Sequence, residues 1–302
     1  MDTKAVRIKI LLIGKDGQVG FALYKKLSTL GEVTATDRKT LDLLNLKVVE
    51  QFINRLRPDI IINAAAYTAV DKAESEPTLA HQINVLAPKV LAEKASELDI
   101  PLVHFSTNYV FDGLKKESYT EIDSIHPLSV YGKTKAEGDF MVKQHPKHII
   151  LRTGWVFGYH HHNFLKTVLN FLVERDQISI VNDQWGSPTS VCTLADVTYK
   201  ILHKLLNDPT LKDYGTYHVT NDGETNWYDY ALFIAKEAKA LGFPIKTEFN
   251  AIKPILTSDY PTPASRPLNS RLNTDKLKKT FLLNVPYWQD EVKKVLSVHH
   301  IK

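Results

Sequence analysis

The feature that most limits the fold of this chain is a regular alternation, in its first half, of short apolar segments with amphipathic ones. Residues 8–14, 32–37 and 59–66 have the composition of strands, and helical patterns separate them. Predicted strands at 101–107 and 148–158 continue the same order. Strands that are apolar almost throughout are typical of a parallel sheet covered by helices on both faces. The sequence therefore predicts an α/β fold with a doubly wound parallel sheet.

A glycine-rich turn follows the first predicted strand and opens the next helix. Gly14, Gly17 and Gly20 form GxxGxxG, which allows a tight turn and a close approach of the backbone to a pyrophosphate at a helix N-terminus. The alternative is an ordinary tight turn between a strand and a helix. Asp37 ends the second predicted strand, near the spacing at which an acid binds the adenine ribose. Its neighbour Arg38 suits the 2′-phosphate of NADP, so the cofactor could be NADPH or NADH. The alternative interpretation is that Asp37 is an ordinary turn residue and that Arg38 is a charge on the surface.

The alternation weakens in the second half of the chain. We expect residues 1–150 to form a Rossmann-type dinucleotide-binding domain and residues 151–302 to form mainly a smaller, C-terminal substrate-binding domain. Segments near 173–206 and 215–222 are expected to return to the first domain. The cleft between the two domains would lie at the carboxyl ends of the strands, where doubly wound folds bind ligands.

Composition narrows the range of partners and compartments. The 38 basic and 34 acidic residues leave a formal charge of +4, which suits a small anionic ligand better than nucleic acid. Cys192 is the single cysteine, so neither an internal disulfide nor a multi-cysteine metal site can form. The first apolar run leads into the glycine turn and is read as a strand, not a signal peptide, and no apolar run reaches the ~18 residues of a membrane helix. We expect a cytoplasmic protein without a nucleic-acid or membrane partner.

The segment YGKTK places Tyr131 and Lys135 on one face of a predicted helix. A lysine beside a tyrosine favours the phenolate and equips the pair for proton transfer. Such a pair is expected about once by chance in this composition, so its position decides its meaning. It follows the fourth predicted strand, which ends in Ser106 and Thr107. A hydroxyl at that edge can hydrogen-bond a substrate carbonyl or the tyrosine, although Thr107 as a plain strand end is the alternative.

With these motifs, the chain resembles the extended short-chain dehydrogenase/reductase family, and within it the reductases of dTDP-linked 4-keto-6-deoxy sugars. The resemblance runs nearly end to end. It rests on GKDGQVG (14–20), NAAAYTAVDKAE (63–74), STNYVFDG (106–113), YGKTKAEG (131–138), RTGWVFG (152–158), NDQWGSPT (182–189) and RPLNSRL (266–272).

The resemblance implies NADPH- or NADH-dependent reduction of the 4-keto group of dTDP-4-dehydro-β-L-rhamnose to dTDP-L-rhamnose, a step that supplies cell-surface polysaccharide. It implies that Thr107, Tyr131 and Lys135 are catalytic. The implied cofactor-binding residues, besides Tyr131 and Lys135, are Gly14, Gly17, Gln18, Val19, Gly20, Asp37, Arg38, Asp42, Leu43, Ala64, Ala65 and Ala66. The implied substrate-binding residues, besides Thr107, are Tyr67, Thr68, Val70, Asn108, Tyr109 and Trp155.

Two positions depart from the family pattern. Asn108 stands where an aspartate is common, and Gly154 where a serine is common. Some family members form a dimer bridged by magnesium, but no full acidic ligand set aligns here, so we assign no metal site and expect a monomer or a homodimer. His160, His161 and His162 are consecutive and cannot easily converge on one ion.

Other functions remain open at this point. The scaffold also serves reductases or epimerases of other nucleotide-linked 6-deoxy sugars. A related protein is a regulatory subunit of methionine adenosyltransferase, which binds a partner. The presence of Thr107, Tyr131 and Lys135 together favours an enzyme.

Overall fold

The computed structural model describes residues 8–208 and 210–300. Its strands are β1 (Lys9–Ile13), β2 (Glu32–Thr36), β3 (Ile60–Asn63), β4 (Leu102–Thr107), β5 (His148–Thr153), β6 (Val156–Phe157), β7 (Ile178–Val181), β8 (Trp185–Gly186), β9 (Thr189–Ser190), β10 (Gly215–His218), β11 (Thr225–Asn226) and β12 (Ile252–Ile255). Its α-helices are α1 (Gln18–Leu27), α2 (Leu46–Leu56), α3 (Val70–Ala73), α4 (Pro77–His81), α5 (Ala87–Leu98), α6 (Val130–Val142), α7 (Phe164–Glu174), α8 (Val191–Asn207), α9 (Trp227–Ala240), α10 (Asp275–Phe281) and α11 (Trp288–His300). A π-helical turn, Gln82–Leu86, joins α4 to α5, and short 3-10 turns lie at Asn108–Val110, Phe249–Ala251 and Thr257–Asp259.

Six parallel strands form the central sheet, in the order β2-β1-β3-β4-β5-β10. The chain moves outward from β1 in one direction to β2 and in the other to β3, so the carboxyl ends of β1 and β3 flank a switch point where a crevice opens. This sheet confirms the predicted α/β, doubly wound fold.

Alternating side chains of the strands face the two layers of helices. Ile10 and Leu12 of β1 pack with α1, α8 and α10, whereas Leu11 and Ile13 pack with α2, α5 and α6. The strand period of two sends neighbouring apolar residues to opposite faces, and burial of both faces explains why these strands are apolar throughout.

A second apolar cluster lies outside the sheet. It combines α7, β7, α9, β12 and α11 around residues such as Phe157, Tyr230 and Trp288. The chain passes between this cluster and the sheet more than once: β7 lies in the second cluster, α8 packs on α1, and β10 pairs with β5 at the edge of the sheet. α10 then returns to the sheet and α11 ends in the second cluster.

The predicted strand at 148–158 is interrupted. β5 ends at Thr153 and β6 begins at Val156, and Trp155 between them has a left-handed backbone with φ of 52°. In residues 8–208 and 210–300, no helix is both long enough and apolar enough to cross a membrane.

Candidate active site

The glycine turn lies at the carboxyl end of β1, against the loop that follows β3. Gly14 has φ of +90°, and a Cβ there would lie 2.8 Å from the Ala65 backbone nitrogen; a Cβ at Gly20 would lie 1.9 Å from the Gly14 oxygen. Gly17 caps α1 without a side-chain hydrogen bond, and the first turn of α1 has no acidic residue. The unpaired N–H groups and positive end of this helix therefore fit a diphosphate.

Asp37 follows β2 on the same edge of the sheet. Its carboxylate accepts hydrogen bonds from the Thr40 backbone and hydroxyl at 2.8 and 2.9 Å, and Lys15 lies 3.1 Å away. These contacts, the Thr40 backbone bond first, lower the pKa of Asp37 to about 2. Arg38 beside it is exposed. The site thus offers an ionised carboxylate for ribose hydroxyls and two cations, Lys15 and Arg38, for a nearby phosphate.

Thr107, Tyr131 and Lys135 come together where β4 ends and α6 begins. Ser129 caps α6 by accepting a hydrogen bond from the Gly132 backbone, which orients the first turn that carries Tyr131. Lys135, one turn further, is 1% exposed, and its side-chain nitrogen Nζ lies 2.7 Å from the Phe105 carbonyl oxygen. The Thr107 hydroxyl accepts a hydrogen bond from the Tyr109 backbone at 3.1 Å.

Burial sets the proton affinities of this group. It raises the pKa of Tyr131 to about 12, and the Thr107 side chain opposes that rise. It lowers the pKa of Lys135 to about 8, opposed by the charge of Asp139. Asp139 itself pairs with Arg152 at 3.0 Å, both fully buried. Tyr131 is therefore a phenol, and so a proton donor, at neutral pH.

Asn84, in the π-helical turn, ties the loop after β3 to α6. Its side chain accepts from the Tyr67 backbone nitrogen at 2.8 Å and donates to the Tyr67 carbonyl and the Thr134 hydroxyl, both at 3.1 Å. A π-turn often marks a functional site, and this one sets the position of Tyr67. The Tyr67 hydroxyl donates to Glu76 at 2.6 Å, which raises the pKa of Tyr67.

The two positions that depart from the family pattern touch each other. The buried Asn108 side chain donates to the Ser270 carbonyl at 2.9 Å. A Cβ at Gly154 would lie 2.1 Å from its amide nitrogen. Asn108 therefore occupies the space that a side chain at 154 would need, and the two departures form one packing unit.

Trp155 is stacked in the cleft between the sheet and the second cluster. Its ring lies 3.4 Å from that of Trp227 with an interplanar angle of 10°, and a Cβ at Gly186 would lie 2.5 Å from the indole. Trp227 donates to Gln184 at 3.2 Å. The left-handed backbone at Trp155 follows the end of β5, and the ring lies against Trp227 and Gly186.

An ion pair brings residues 254–267, a segment with four prolines, to the same edge. Arg266 pairs with Asp71 at the start of α3 through two hydrogen bonds of 3.0 and 2.8 Å, and the Ala264 backbone also donates to Asp71. A side-chain hydrogen bond joins Arg266 to Tyr109, and the Tyr109 ring meets the Tyr131 ring edge-on at 6.1 Å. The segment that ends in RPLNSRL thus reaches the residues around Tyr131.

The other residues implied by the resemblance have plainer surroundings. Gln18 accepts from Asn163 at 3.1 Å, Val19 packs on the core, Leu43 is buried beside α2, and Asp42 binds the Leu44 backbone. Ala64, Ala65 and Ala66 are partly buried after β3, and Val70 starts α3. Thr68 is exposed.

The histidine run lies beside α1 and α7. The His160 ring contacts the Phe21 ring at a tilt of 54°, with the centroids 4.1 Å apart, and His162 is hydrogen-bonded to Thr167. Among the described residues, no three or more His, Cys, Asp or Glu side chains gather so that they could hold a metal ion.

The sequence patterns assign no role to four residues that the structure places near the site: Asn63, Asn84, His104 and Arg266. A polar residue inside an otherwise apolar strand, as at Asn63 and His104, is the signal that could have found two of them, because a buried polar group needs a partner.

The comparisons of this chain with known protein families, sequences and structures agree on one family. A family model described as the RmlD substrate binding domain matches residues 8–300. The dTDP-4-dehydrorhamnose reductase of Salmonella typhimurium is 44% identical over 96% of this chain and 97% of that relative.

Two solved structures have the same fold. A dTDP-4-dehydrorhamnose reductase from Clostridium acetobutylicum is 39% identical, with a TM-score of 0.88 over 97% of this chain and 99% of its own. The corresponding reductase from Bacillus anthracis, in complex with NADP, is 34% identical with a TM-score of 0.88 over 97% and 99% of the two chains.

Proposed function

The chain belongs to the RmlD substrate binding domain family, and on that premise we propose that it reduces the 4-keto group of dTDP-4-dehydro-β-L-rhamnose to give dTDP-L-rhamnose. The observation that carries the proposal is the group of Thr107, Tyr131 and Lys135 at the carboxyl edge of the sheet that also holds the glycine turn. The residues of the turn fit a dinucleotide: Gly14 and Gly20 leave no room for a side chain, and the start of α1 is free of acidic residues. We propose NADPH or NADH as the cofactor.

The mechanism follows from the protonation states of these side chains. A reduced nicotinamide supplies the hydride when it is bound. Tyr131, with its pKa raised to about 12, carries the proton that the developing alkoxide on the sugar needs. The Thr107 oxygen accepts from the Tyr109 backbone, and its hydroxyl donates to the Asn108 side-chain oxygen at 3.5 Å. Its hydrogen would turn from this long contact to polarise the substrate carbonyl. Lys135, when protonated, stabilises the phenolate left by proton transfer.

The test is a reduction assay with a defined product. Purified protein is incubated with NADPH and an enzymatically generated dTDP-4-keto-6-deoxy sugar, and the product is identified by NMR. Formation of dTDP-L-rhamnose supports the proposal, and a different 6-deoxyhexose would correct the substrate. Absence of NADPH oxidation with either epimer of the keto-sugar would remove the reductase assignment and favour a binding role.

We further propose that the protein acts in the cytoplasm as a monomer or a homodimer, without nucleic acid. The single cysteine and the small net charge support these points. Light scattering after size exclusion, with and without magnesium, measures the oligomeric state.

A further inference from the structure

A line of buried hydrogen bonds crosses the sheet from the glycine-turn side to Lys135. Asn63, at the end of β3, and His104, within β4, are each 1% exposed. The Asn63 amide nitrogen lies 3.1 Å from His104 Nδ1, and Lys135 Nζ lies 3.1 Å from His104 Nε2. The line begins at Ala65, whose backbone nitrogen lies 3.1 Å from Asn63 Oδ1.

The orientation of Asn63 follows from its first partner. A backbone N–H can only donate, so the Asn63 oxygen must face Ala65 and the amide nitrogen must face His104. An amide NH₂ also only donates. His104 Nδ1 must therefore accept a hydrogen bond, and it can do so only without a proton.

The tautomer of His104 follows in turn. A neutral imidazole carries its hydrogen on one nitrogen, so with Nδ1 bare the hydrogen is on Nε2 and points at Lys135. An amine at Lys135 accepts this N–H through its lone pair and donates its own hydrogen to the Phe105 carbonyl at 2.7 Å. Every group in the line then has a partner.

An ammonium ion at Lys135 breaks the line in every arrangement. It has no lone pair, so it cannot accept the Nε2–H of His104, and two donors face each other. If the hydrogen moves to Nδ1, this N–H faces the NH₂ of Asn63, which is also a donor. If Asn63 turns over, its NH₂ faces the N–H of Ala65, and again two donors meet. One contact between two donors remains each time, in a place without exposed surface, where unmet polar groups are costly.

We propose that Asn63 and His104 act as positioning residues, a tautomer lock that presents an imidazole N–H to Lys135 and so disfavours its ammonium form. The role that this gives Lys135 in catalysis rests on the proposed reductase function, but the lock itself does not. It links the charge of the lysine to the loop after β3, which contacts the glycine turn through Ala65.

The proton affinities agree with this geometry. Burial holds the pKa of His104 well below its usual value, so the imidazole is neutral. Burial also lowers the pKa of Lys135, and the carboxylate of Asp139 one turn along α6 opposes this. The other titratable groups of this region are Tyr131 on α6, Tyr109 after β4, and Arg152 on β5, which pairs with Asp139.

The test uses NMR on the protein alone. Long-range ¹⁵N spectra of the histidine rings show which nitrogen of His104 carries the hydrogen, with His104→Gln to assign the signals. We expect the Nε2–H form at pH 9, above the Lys135 pKa of about 8, where the amine accepts from it. The Nδ1–H form at that pH overturns the proposal.

A second measurement follows the lysine itself. In protein labelled with ¹³C-lysine and assigned with Lys135→Met, the Cε signal reports its pKa. In Asn63→Asp the new carboxylate accepts from both Ala65 and an Nδ1–H of His104, which turns Nε2 into an acceptor for the ammonium. We expect the pKa of Lys135 to rise by about one unit or more.

Two further variants complete the design. Asn63→Ala removes the NH₂ that keeps His104 Nδ1 bare, so Nε2 can accept from the ammonium; it is expected to raise the pKa in the same direction and serves if Asn63→Asp does not fold. The buried Asn221 donates to Thr193 and Pro286 away from this line, and Asn221→Asp is the matched control with no expected change at Lys135. No upward shift in either Asn63→Asp or Asn63→Ala contradicts the lock.

Activity provides the remaining readout. If the ammonium form is the active one, the fall in kcat at high pH should move to higher pH in Asn63→Asp. Should the wild-type protein show the Nε2–H form but no reductase activity, the lock stands and the proposed function fails. Should it reduce the keto-sugar but show the Nδ1–H form, the function stands and the lock fails.

Discussion

Adding a single methyl group at Gly154 should destabilise the protein, because the space for it is filled by Asn108. The backbone of Gly154 is not left-handed, so an alanine there suffers no conformational strain. Its Cβ would instead lie 2.1 to 2.5 Å from the three terminal atoms of the Asn108 side chain. Asn108 must move, and its hydrogen bond of 2.9 Å to the Ser270 carbonyl must lengthen or break.

The magnitude is the sum of two familiar effects. Overpacking a buried site costs about 1–3 kcal/mol, and leaving a buried polar group without its partner costs about 1–3 kcal/mol. Because a small shift relieves part of both, we expect Gly154→Ala to lower the free energy of unfolding by about 2–4 kcal/mol. Asn108→Ala should lower it by about 1–3 kcal/mol through the unpaired carbonyl and a small cavity.

The double variant, Gly154→Ala with Asn108→Ala, tests whether the two side chains compete for the same space or whether each change destabilises the protein independently. With Asn108 truncated, the methyl at 154 enters the vacated space, so the double variant should be more stable than the sum of the single changes by about 1–3 kcal/mol. Urea unfolding followed by circular dichroism measures all four proteins. Gly17→Ala is the control, since its methyl would meet only the Gly14 oxygen at an ordinary 3.4 Å. Strict additivity, or a Gly154→Ala protein as stable as the wild type, would refute the reasoning.

Three further outcomes are expected. Tyr131→Phe should reduce kcat by about 10²–10⁴-fold with little change in KM, because it removes a positioned proton donor; steady-state kinetics would contradict this if most activity remained. Gly14→Ala should weaken cofactor binding at least about tenfold by calorimetry, because its methyl collides with Ala65; unchanged binding would speak against the dinucleotide turn. The pKa of Asp37 is lowered to about 2, so its stabilisation is present above the usual carboxyl range and is lost as the pH falls below about 4. The difference in melting temperature between wild type and Asp37→Asn should thus be constant from pH 5 to 8 and shrink in acid; a difference that grows in acid would be the wrong sign.

The strands and the glycine turn were predictable because their signals are local. An apolar run such as that of β3 reflects burial on both faces of one segment, and the turn at Gly14 reflects what one stretch of backbone can adopt. The placement of Tyr131 and Lys135 on one face also needs only the helical period. These features predict a candidate site at the carboxyl edge of the sheet without knowledge of any distant contact.

The contacts that could not be predicted from the sequence join residues that lie far apart in the chain. His104 gains meaning only from Asn63 across the sheet and from Lys135 on the next helix. Trp155 interrupts a predicted strand because its ring stacks on Trp227, which belongs to a different element. Strand propensity is overridden in such cases by tertiary packing, and no local pattern records the partner.

The late return of β10 to the edge of the sheet also constrains how the protein can be made. β10 begins at Gly215 and pairs with β5, which ends at Thr153, while the second cluster takes up much of the chain between them. During synthesis, β5 must therefore emerge from the ribosome well before its outer neighbour exists. Of the helices that cover one face of the sheet, α8 also comes after β5, and α10 comes only after β10. An apolar edge of this kind is prone to wrong pairing while it waits. A slow stretch of translation before residue 215 would lengthen that exposure. A chain cut after the fifth strand would keep the glycine turn, α1 and Tyr131 but lose α8 and α10, which help α1 to bury one side of the sheet.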